Sequence, residues 1–511
     1  MQVDEKTVAA IVEQVLKNMN LDAALGGGSL PSGKGQAPPA SSLAVGGTGY
    51  GGMVMPGDQL ASTAVAPRRI PSVAEAGVDG IFAEVHQAVE AAALAQKQLI
   101  ALGMEKREQL IQVMRQTALE HATEWAKMAL EETRMGNLKD KITKNEKAAQ
   151  LTPGTEDLRS EAMSGDRGLT MIENAPYGVI CAITPVTNPT STVVNNGISM
   201  LAAGNTIVFC PHPQAYRCTT VTIRTLNRAL AAAGAPANLM VALQQSSMEA
   251  TQAIMKHPKI GMISATGGPG LVRAALASGK KTIAAGPGNP PVVVDASADL
   301  DKAGKDIVDG AAFDNNLPCV SEKVCIVVEA VADNLIQALK RHGAYEVVGP
   351  ELDMVAGITI QNGQLNREYV GKDAAVILRA AGIKAADGVR LVIAQVPMTH
   401  GLEEHEQLMP VLPVLRVADF ESAVRLAVEV EHGFGHTAVI HSNSFDHITA
   451  FAKAIDTTLF VVNGPSYASL GVDGQGPTTL TVAGPTGEGV TTARCFTRQR
   501  RFSASHTLRY V

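Results

Sequence analysis

The stretch Pro176-Tyr-Gly-Val-Ile-Cys-Ala-Ile-Thr-Pro-Val-Thr-Asn-Pro189 is an apolar run that ends in a turn bounded by Pro185 and Pro189. Such a run predicts a buried strand. Strand and helix patterns alternate after it, with predicted strands over 177–183, 206–209, 239–242 and 260–264 and predicted helices over 219–233 and 249–256. This alternation predicts an α/β fold, in which a parallel sheet is covered on both faces.

Other patterns extend this fold in both directions. Helical patterns cover 85–95 and 107–132, and the second includes Trp125, the only tryptophan. A second α/β series begins at 291–295 and runs to about residue 462. The Gly-rich stretch 464–489 is predicted to be loop, and 494–511 is a basic, partly strand-like tail.

The first residues have a different composition from this body. Residues 4–20 carry apolar side chains at helical spacing, which predicts an amphipathic helix within 1–22. Residues 23–69 are rich in Gly, Pro, Ser and Ala and contain few charges, as in a flexible linker. We therefore expect a short helix tethered to a body that begins near Ile70.

Composition excludes several classes of protein. The chain has 511 residues, a net charge of −6 and 4% aromatic residues, which argues against a nucleic-acid binder. The uncharged stretch 174–216 is broken by prolines and asparagines, so we do not expect a membrane span. The six cysteines have no metal-ligand spacing, and we expect free thiols in a reducing cytoplasm and no metal.

Cys319 is the candidate nucleophile. It follows Phe313-Asp-Asn-Asn-Leu-Pro, a polar approach that forms turns, and precedes the predicted strand 324–328. A thiol at a junction between loop and strand can be exposed and close to backbone donors, as a reactive thiolate requires. The alternative is a buried structural thiol, an interpretation that fits Cys325.

Two further motifs suggest binding sites. Asn188, in the turn after the predicted strand 177–183, could hold an oxyanion, although Asn-Pro is also an ordinary turn signal. Thr266-Gly267-Gly268-Pro-Gly270 lies between a strand and a helix predicted over 271–278. A helix N-terminus after a glycine turn can bind phosphate, but a plain tight turn explains the motif equally well.

In this order the motifs resemble the aldehyde dehydrogenase superfamily from about Ile70 onward. The markers are Glu132-Thr133, Thr184-Pro185 with Asn188-Pro189, Thr266-Gly267-Gly268, Asn315 with Cys319, Glu406 with Pro410, and Asn463-Gly464-Pro465. The resemblance implies a Rossmann-like cofactor domain (70–284), a catalytic domain (285–490) and a small oligomerisation arm formed by 151–170 and the tail 491–511. It also implies a homo-oligomer, a dimer or a tetramer.

The resemblance also implies roles for individual residues. Cys319 would attack an aldehyde, and Asn188 would hold the oxyanion. Thr184, Pro185, Thr266, Gly267, Gly268 and Glu406 would bind NAD. His212 would contact the nucleotide or be structural, and His436 would handle a proton near the thiol or be structural.

Two departures from the family pattern bear on the reaction. Hydrolytic members carry a glutamate base where this chain has Ala284, five residues before Asn289. Without that carboxylate, water is poorly activated, so the thioester persists until the thiol of coenzyme A attacks it. The second departure is Cys210 and Pro213 where many members have a lysine and an acid, so NADP could replace NAD.

Within the superfamily, the chain is similar to CoA-acylating propionaldehyde and acetaldehyde dehydrogenases of bacterial microcompartments. The resemblance implies oxidation of a short aldehyde to acyl-CoA inside such a compartment, with the N-terminal helix bound to a shell protein. The alternatives are a hydrolytic aldehyde dehydrogenase, a non-catalytic scaffold protein and a thiolase-like acyltransferase. The N-terminal helix could instead dock on its own domain or on a sister subunit.

Overall fold

The computed structural model describes residues 77–509. The predicted N-terminal helix, the linker and the start of the body lie outside these residues. The strands, in chain order, are β1 (Ile81–Phe82), β2 (Glu161–Gly165), β3 (Gly168–Pro176), β4 (Val179–Ile183), β5 (Thr206–Cys210), β6 (Met240–Leu243), β7 (Ile260–Thr266), β8 (Lys281–Ala285), β9 (Pro291–Val294), β10 (Val324–Val328), β11 (Ala344–Val347), β12 (Ile360–Gln361), β13 (Gln364–Leu365), β14 (Leu391–Gln395), β15 (Val411–Val417), β16 (Thr437–His441), β17 (Leu459–Val462), β18 (Val482–Ala483), β19 (Gly489–Val490) and β20 (Thr497–Ser505).

The α-helices lie between these strands or precede them. In chain order they are α1 (Val85–Ala101), α2 (Gly103–Thr133), α3 (Leu138–Leu151), α4 (Pro189–Ala202), α5 (Tyr216–Ala232), α6 (Met248–Lys256), α7 (Pro269–Leu276), α8 (Leu300–Ala312), α9 (Glu329–Arg341), α10 (Pro350–Thr359), α11 (Ala374–Ala380), α12 (Phe420–Val430) and α13 (Phe445–Ile455). None of the helices within 77–509 is long and apolar enough to cross a membrane.

Two parallel sheets dominate the structure, as the alternating pattern predicts. The first has six strands in the order β1-β6-β5-β4-β7-β8, and the second has seven in the order β11-β14-β15-β10-β9-β16-β17. All five residues of β4 and all five of β10 are buried, because helices cover both faces of their sheets. The chain passes from the first sheet to the second between Ala285 and Pro291.

A third, antiparallel sheet in the order β2-β3-β20 lies apart from the other two. Every residue of β2 is exposed, and β20 pairs with β3 along nine residues. Strands β2 and β20 lie within 151–170 and 491–511, the segments that the sequence assigns to an oligomerisation arm, whereas β3 extends beyond residue 170 to Pro176. The role of the arm stays a prediction.

The core around the first sheet also uses residues from the end of the chain. Ala483, Ala493 and Phe496 are buried among the apolar side chains of the first half. Asn205 Nδ2 donates to the carbonyl oxygen of Phe496 at 2.9 Å, which fixes this return segment. The first sheet therefore depends on residues nearly 300 positions away.

The glycine turn leads into its helix sooner than the sequence predicts. Helix α7 begins at Pro269, two residues before the predicted start at residue 271. Proline is well suited to the first helical position, because its φ is already helical and its missing N–H would have no partner within the helix. The turn is therefore followed at once by a helix N-terminus.

Candidate active site

A cavity of about 460 Å³ opens at the carboxyl ends of the strands of the first sheet. Its walls come from the loops after β4 to β8 and from three segments of the second half of the chain, around Cys319, Glu406 and Leu480. Open parallel sheets usually bind ligands at this edge. The candidate residues that line it are Thr184, Pro185, Asn188, His212, Thr266, Gly267, Gly268, Cys319 and Glu406. Of the candidates, only His436 is not part of this lining.

The loops after β4 and β5 present neutral polar groups to the cavity. Thr184 Oγ1 is buried and has no hydrogen-bond partner among the described residues. His212 Nδ1 accepts a hydrogen bond from the Gln214 backbone N–H at 3.2 Å, so the neutral ring carries its proton on Nε2. Burial lowers the pKa of His212, which favours this neutral form. A hydroxyl and an imidazole N–H suit the hydroxyl groups of a ribose.

The loop after β7 forms the glycine turn. Gly268 caps helix α7 and, together with Gly267, lines the cavity. A side-chain carbon at Gly267 would lie 2.8 Å from Leu271 Cδ2, whereas one at Gly268 would meet no atom within 4 Å. The helix N-terminus thus borders the cavity across an open approach, an arrangement that suits a pyrophosphate. Together with the polar groups after β4 and β5, this arrangement fits a nicotinamide dinucleotide.

The turn before Cys319 is unusual in its backbone. Asp314, Asn315 and Asn316 have positive φ values of 45°, 57° and 65°. Asn and Asp are the non-glycine residues that tolerate this region best. The Lys323 ammonium holds the turn from inside, donating to the Asn316 backbone oxygen at 2.7 Å and to the Pro318 oxygen at 3.3 Å. The candidate nucleophile therefore lies on a loop with a fixed backbone.

Buried charges set the state of the candidate thiol. Burial, and next the charge of Glu406, raise the pKa of Cys319 to about 12, while Lys323 opposes the shift. Burial also lowers the pKa of Lys323 to about 8 and raises that of Glu406 to about 7. Cys319 is thus a protonated thiol at neutral pH when the site holds no ligand. Reaction requires its environment to change, or the small thiolate fraction to react.

Both ends of the Asn188 carboxamide form hydrogen bonds with neighbouring residues. Its Oδ1 accepts from the Lys144 ammonium at 2.6 Å, and its Nδ2 donates to Thr187 Oγ1 at 3.1 Å. An amide nitrogen carries two protons, so one remains for another acceptor. Since Asn188 lines the same cavity as Cys319, that proton can serve an oxyanion formed there.

His436 lies beside the nucleophile loop, behind Gly288. A side-chain carbon at Gly288 would be 2.9 Å from His436 Cγ and 3.1 Å from the Cys319 carbonyl oxygen, so only glycine fits between them. His436 Nδ1 is 2.7 Å from Thr437 Oγ1, whereas Nε2 is buried without a partner among the described residues. Burial lowers the pKa of His436 to about 4, so the imidazole is neutral at neutral pH.

A second, smaller cavity of about 30 Å³ adjoins the first. Asn188 and Leu480 line both cavities. Pro318 and Val320 line the small cavity, whereas Cys319 between them lines the large one. The surface of the small cavity is mostly apolar; its remaining walls are Phe313, Tyr467, Leu470 and Val472 together with Lys144, Lys147, Thr478 and Thr479. Asn188 therefore stands at the junction of a nucleotide-sized cavity and a small apolar one.

Glu406 is the only carboxylate in the lining of either cavity within residues 77–509. Ala284, where the sequence lacks an acidic base, is buried inside β8 and lines neither cavity. Burial raises the pKa of Glu406, and this larger effect outweighs that of the Gly288 backbone N–H, which lowers it. The candidate site therefore has one acidic group, at the position that the resemblance assigns to ribose binding.

Sequence reasoning did not identify the buried lysines Lys144 and Lys323 as parts of the site. A signal for Lys144 was present, because Lys141 and Lys144 continue the face of α3 that buries Ala148 and Ala149. A lysine on a buried helix face needs a buried partner. The signal for Lys323 is its place directly before the fully buried strand β10.

Comparison with known proteins places these features in a family. The sequence model described as the aldehyde dehydrogenase family matches residues 72–475. An acetylating acetaldehyde dehydrogenase of Salmonella typhimurium is 46% identical, with 83% of this chain and 91% of the relative covered. A CoA-propanoylating propanal dehydrogenase of Citrobacter freundii is 44% identical, with 84% and 94% covered.

Solved structures give the same picture. A propionaldehyde dehydrogenase of Rhodopseudomonas palustris, with bound CoA and an acylated cysteine, is 48% identical and has a TM-score of 0.83, with 84% of this chain and 98% of that chain covered. A propionaldehyde dehydrogenase from a fucose utilisation microcompartment of Clostridium phytofermentans is 45% identical, also with a TM-score of 0.83, with 84% and 99% covered.

The charge of Glu406 should control the reactivity of Cys319. At pH 8.5 a carboxyl group of pKa about 7 is ionised, so Glu406→Gln removes a negative charge near the thiol and should lower its pKa. We expect alkylation of Cys319 by iodoacetamide to accelerate by up to about tenfold, the effect of one pKa unit. Peptide mass spectrometry measures the rate, with the Cys495 peptide as internal reference.

Glu404→Gln, a change at an exposed neighbour in the same loop, is the matched control and should leave the rate unchanged. Lys323→Met should slow alkylation, because Lys323 lowers the pKa of the thiol. An unchanged or slower rate in Glu406→Gln would contradict this electrostatic description.

Proposed function

The chain belongs to the aldehyde dehydrogenase family, and we propose that it is a CoA-acylating enzyme that oxidises a short aldehyde to an acyl-CoA through a thioester on Cys319. The observation that carries this function is the composition of the site. Cys319 and Asn188 line one cavity with a glycine turn, and Glu406 is the only carboxylate in that lining. The site thus has a nucleophile and an oxyanion donor but no acid at the position of the hydrolytic base.

The first half-reaction forms the thioester. Cys319 loses its proton to solvent, and its sulfur attacks the aldehyde carbon, so that a C–S bond forms and the carbonyl oxygen becomes an oxyanion. Asn188 Nδ2 donates a hydrogen bond to that oxygen. A bound nicotinamide cofactor supplies the hydride acceptor, and Thr184, Pro185, His212, Thr266, Gly267, Gly268 and Glu406 would hold it. Departure of the hydride restores the carbonyl group and leaves an acyl group on Cys319.

The second half-reaction transfers the acyl group to CoA. The thiol of CoA loses its proton and attacks the carbonyl carbon; a new thioester forms and the Cys319–acyl bond breaks. His436 is the proposed proton acceptor, since its Nε2 has no hydrogen-bond partner among the described residues and its ring is neutral. The complete reaction consumes aldehyde, oxidised cofactor and CoA, and it yields acyl-CoA, reduced cofactor and one proton.

The small cavity supports a short aldehyde. Its volume of about 30 Å³ corresponds to roughly two water-sized groups. With the carbonyl group beside Asn188, it accommodates the one- or two-carbon chain of acetaldehyde or propionaldehyde. The names of the similar enzymes refer to the same two aldehydes.

Neutral groups line the nucleotide side of the cavity, where the choice between NAD and NADP is made. Pro211, His212 and Pro213, after β5, line this region without an acidic residue. An acid there would favour NAD by binding a ribose hydroxyl and would repel the additional phosphate of NADP. We propose NAD as the cofactor, with NADP also accepted. A related engineered glycolyl-CoA reductase has a structure with bound NADP+.

We further propose that the enzyme is a homo-oligomer and is housed in a bacterial microcompartment, tethered to the shell by residues 1–22. One of the similar enzymes comes from such a compartment. The amphipathic pattern of 4–20 and the linker 23–69 support a tethered helix. The exposed sheet β2-β3-β20 is the proposed oligomerisation arm.

A product assay tests the reaction. With propionaldehyde and NAD, we expect steady formation of propionyl-CoA and NADH only when CoA is present. The reason is that the position of the hydrolytic base holds Ala284, so no carboxylate there activates water. Cys319→Ala should abolish both products. Cys495→Ala, which changes the other partly exposed cysteine, should retain them. Steady NADH formation with free propionate in the absence of CoA would instead establish the hydrolytic reaction.

Aldehyde length can be tested at Leu470, in the wall of the small cavity. Leu470→Ala should raise kcat/KM for butyraldehyde relative to propionaldehyde by about 10-fold or more, because a methylene group in a tight pocket changes selectivity by about 10–200-fold. Leu94→Ala, at an exposed position on α1, is the control. An unchanged ratio would show that another part of the site determines chain length.

Tethering can be tested by deleting residues 2–22. The truncated enzyme should keep its kcat, because these residues precede the described body. It should no longer co-purify with compartment shells when both are expressed together. The full-length chain is the control, and undiminished co-purification of the truncated enzyme would rule out this tether.

A further inference from the structure

The inference concerns a buried lysine behind the oxyanion donor. Lys144 lies on α3 with 7% of its side chain exposed. Its ammonium donates to Asn188 Oδ1 at 2.6 Å and forms a close ion pair with Asp314 Oδ2. A third, longer contact of 3.4 Å runs to the backbone oxygen of Thr187. Lys144 therefore contacts the carboxamide of Asn188 on the side away from its Nδ2.

This contact selects one orientation of the Asn188 carboxamide. A carboxamide has an accepting oxygen and a donating nitrogen of nearly equal size. With the ammonium in place, the reversed orientation would bring the N–H groups of Asn188 against those of Lys144 and would remove one of the acceptors of the ammonium. Both effects are costly in a buried site. Only the observed orientation therefore presents Nδ2 as a donor to the remaining surroundings.

The other partner of Lys144 connects it to the nucleophile loop. Asp314 is fully buried and lies five residues before Cys319. It also accepts from Lys141 Nζ at 3.3 Å and from the Asn137 backbone N–H at 2.8 Å. The backbone N–H of Asp314 in turn donates to Asp140 Oδ2 at 2.7 Å. The turn that carries the nucleophile and the amide of Asn188 are thus attached to the same helix, α3.

We propose that Lys144 is a positioning residue for the reaction: it fixes the Asn188 carboxamide with Nδ2 toward the reacting carbonyl, and through Asp314 it sets the place of that amide relative to Cys319. The proposal rests on the proposed function, in which Asn188 holds the oxyanion. Lys144 also lines the small cavity, but in this role it acts through its hydrogen bond to Asn188 and its ion pair with Asp314. Its charge acts through the orientation of a neutral group.

The test is a double-mutant cycle on the complete enzyme, with acyl-CoA formation from propionaldehyde as readout. Lys144→Met should lower kcat by about 10- to 100-fold, somewhat less than the 10²- to 10³-fold typical for loss of an oxyanion donor. The KM for NAD should stay within about twofold, since the cofactor contacts are unchanged. The double variant Lys144→Met/Asn188→Ala should be no slower than Asn188→Ala alone, because both changes remove the same interaction.

Lys141→Met is the matched control. Lys141 lies one turn earlier on the same helix, is equally buried and contacts the same oxygen of Asp314, but it is bonded to Asp314 and not to Asn188. We expect its kcat to fall much less than that of Lys144→Met. Equal losses in the two variants would mean that the lysines serve only to neutralise Asp314, and the proposal would fail.

Other outcomes are also decisive. If the Lys144→Met and Asn188→Ala effects multiply in the double variant, or if Lys144→Met keeps full kcat, Lys144 does not act through Asn188. If Lys144→Met does not fold, Lys144→Gln replaces it; its amide can present either end to Asn188, so the same pattern of smaller size is expected. If Asn188→Ala keeps full kcat, the positioning role is refuted, whereas acyl-CoA formation that depends on Cys319 would leave the proposed function intact.

Discussion

An ammonium and a carboxylate, both buried, meet where helix α3 faces the turn before Cys319. The Lys144–Asp314 pair lies between a helix of the first half of the chain and a loop of the second, so it joins the two halves at the site itself. Such a pair adds little net stability, because removing both charges from water offsets most of their attraction, but losing one partner is strongly unfavourable. The pair is better understood as a constraint on geometry, because only arrangements that keep both charges in contact are stable. These arrangements bring Asn188 and Cys319 to one cavity.

Much of the fold follows from local pattern. The apolar runs that predict strands coincide with β4, β5, β7 and β10 to within two residues at each end. The reason is that strands of a parallel sheet are buried on both faces and read as continuous apolar runs. Most of the candidate site residues lie at the carboxyl ends of these strands, which is why a linear sequence locates them. Lys144 was missed because its partners, Asn188 and Asp314, are 44 and 170 residues away. No local pattern encodes such a pairing, nor the orientation of an amide.

The charges around the thiol have a chemical consequence. Cys319, the proposed nucleophile, has a thiol pKa near 12, which protects it from oxidation and alkylation until substrate binds. Glu406 contributes to this protection, and its carboxylate would turn to a ribose when a cofactor binds. Lys323 contributes in the opposite direction, because it is a buried cation that bonds only to neutral oxygens. The balance between these two groups makes the reactivity of Cys319 depend on what else occupies the cavity.

The packing of Ala483, Ala493 and Phe496 in the core of the first half affects when that half can fold during translation. A ribosome delivers these residues after all the strands of the first sheet, so the nascent first half lacks part of its interior until they emerge. Domains that are contiguous in sequence can fold as they emerge, but the first sheet needs a segment that is translated after all the strands of the second sheet. During that interval residues 1–22 are already outside the ribosome. A partner that binds them then would bind a chain that is not yet an active enzyme.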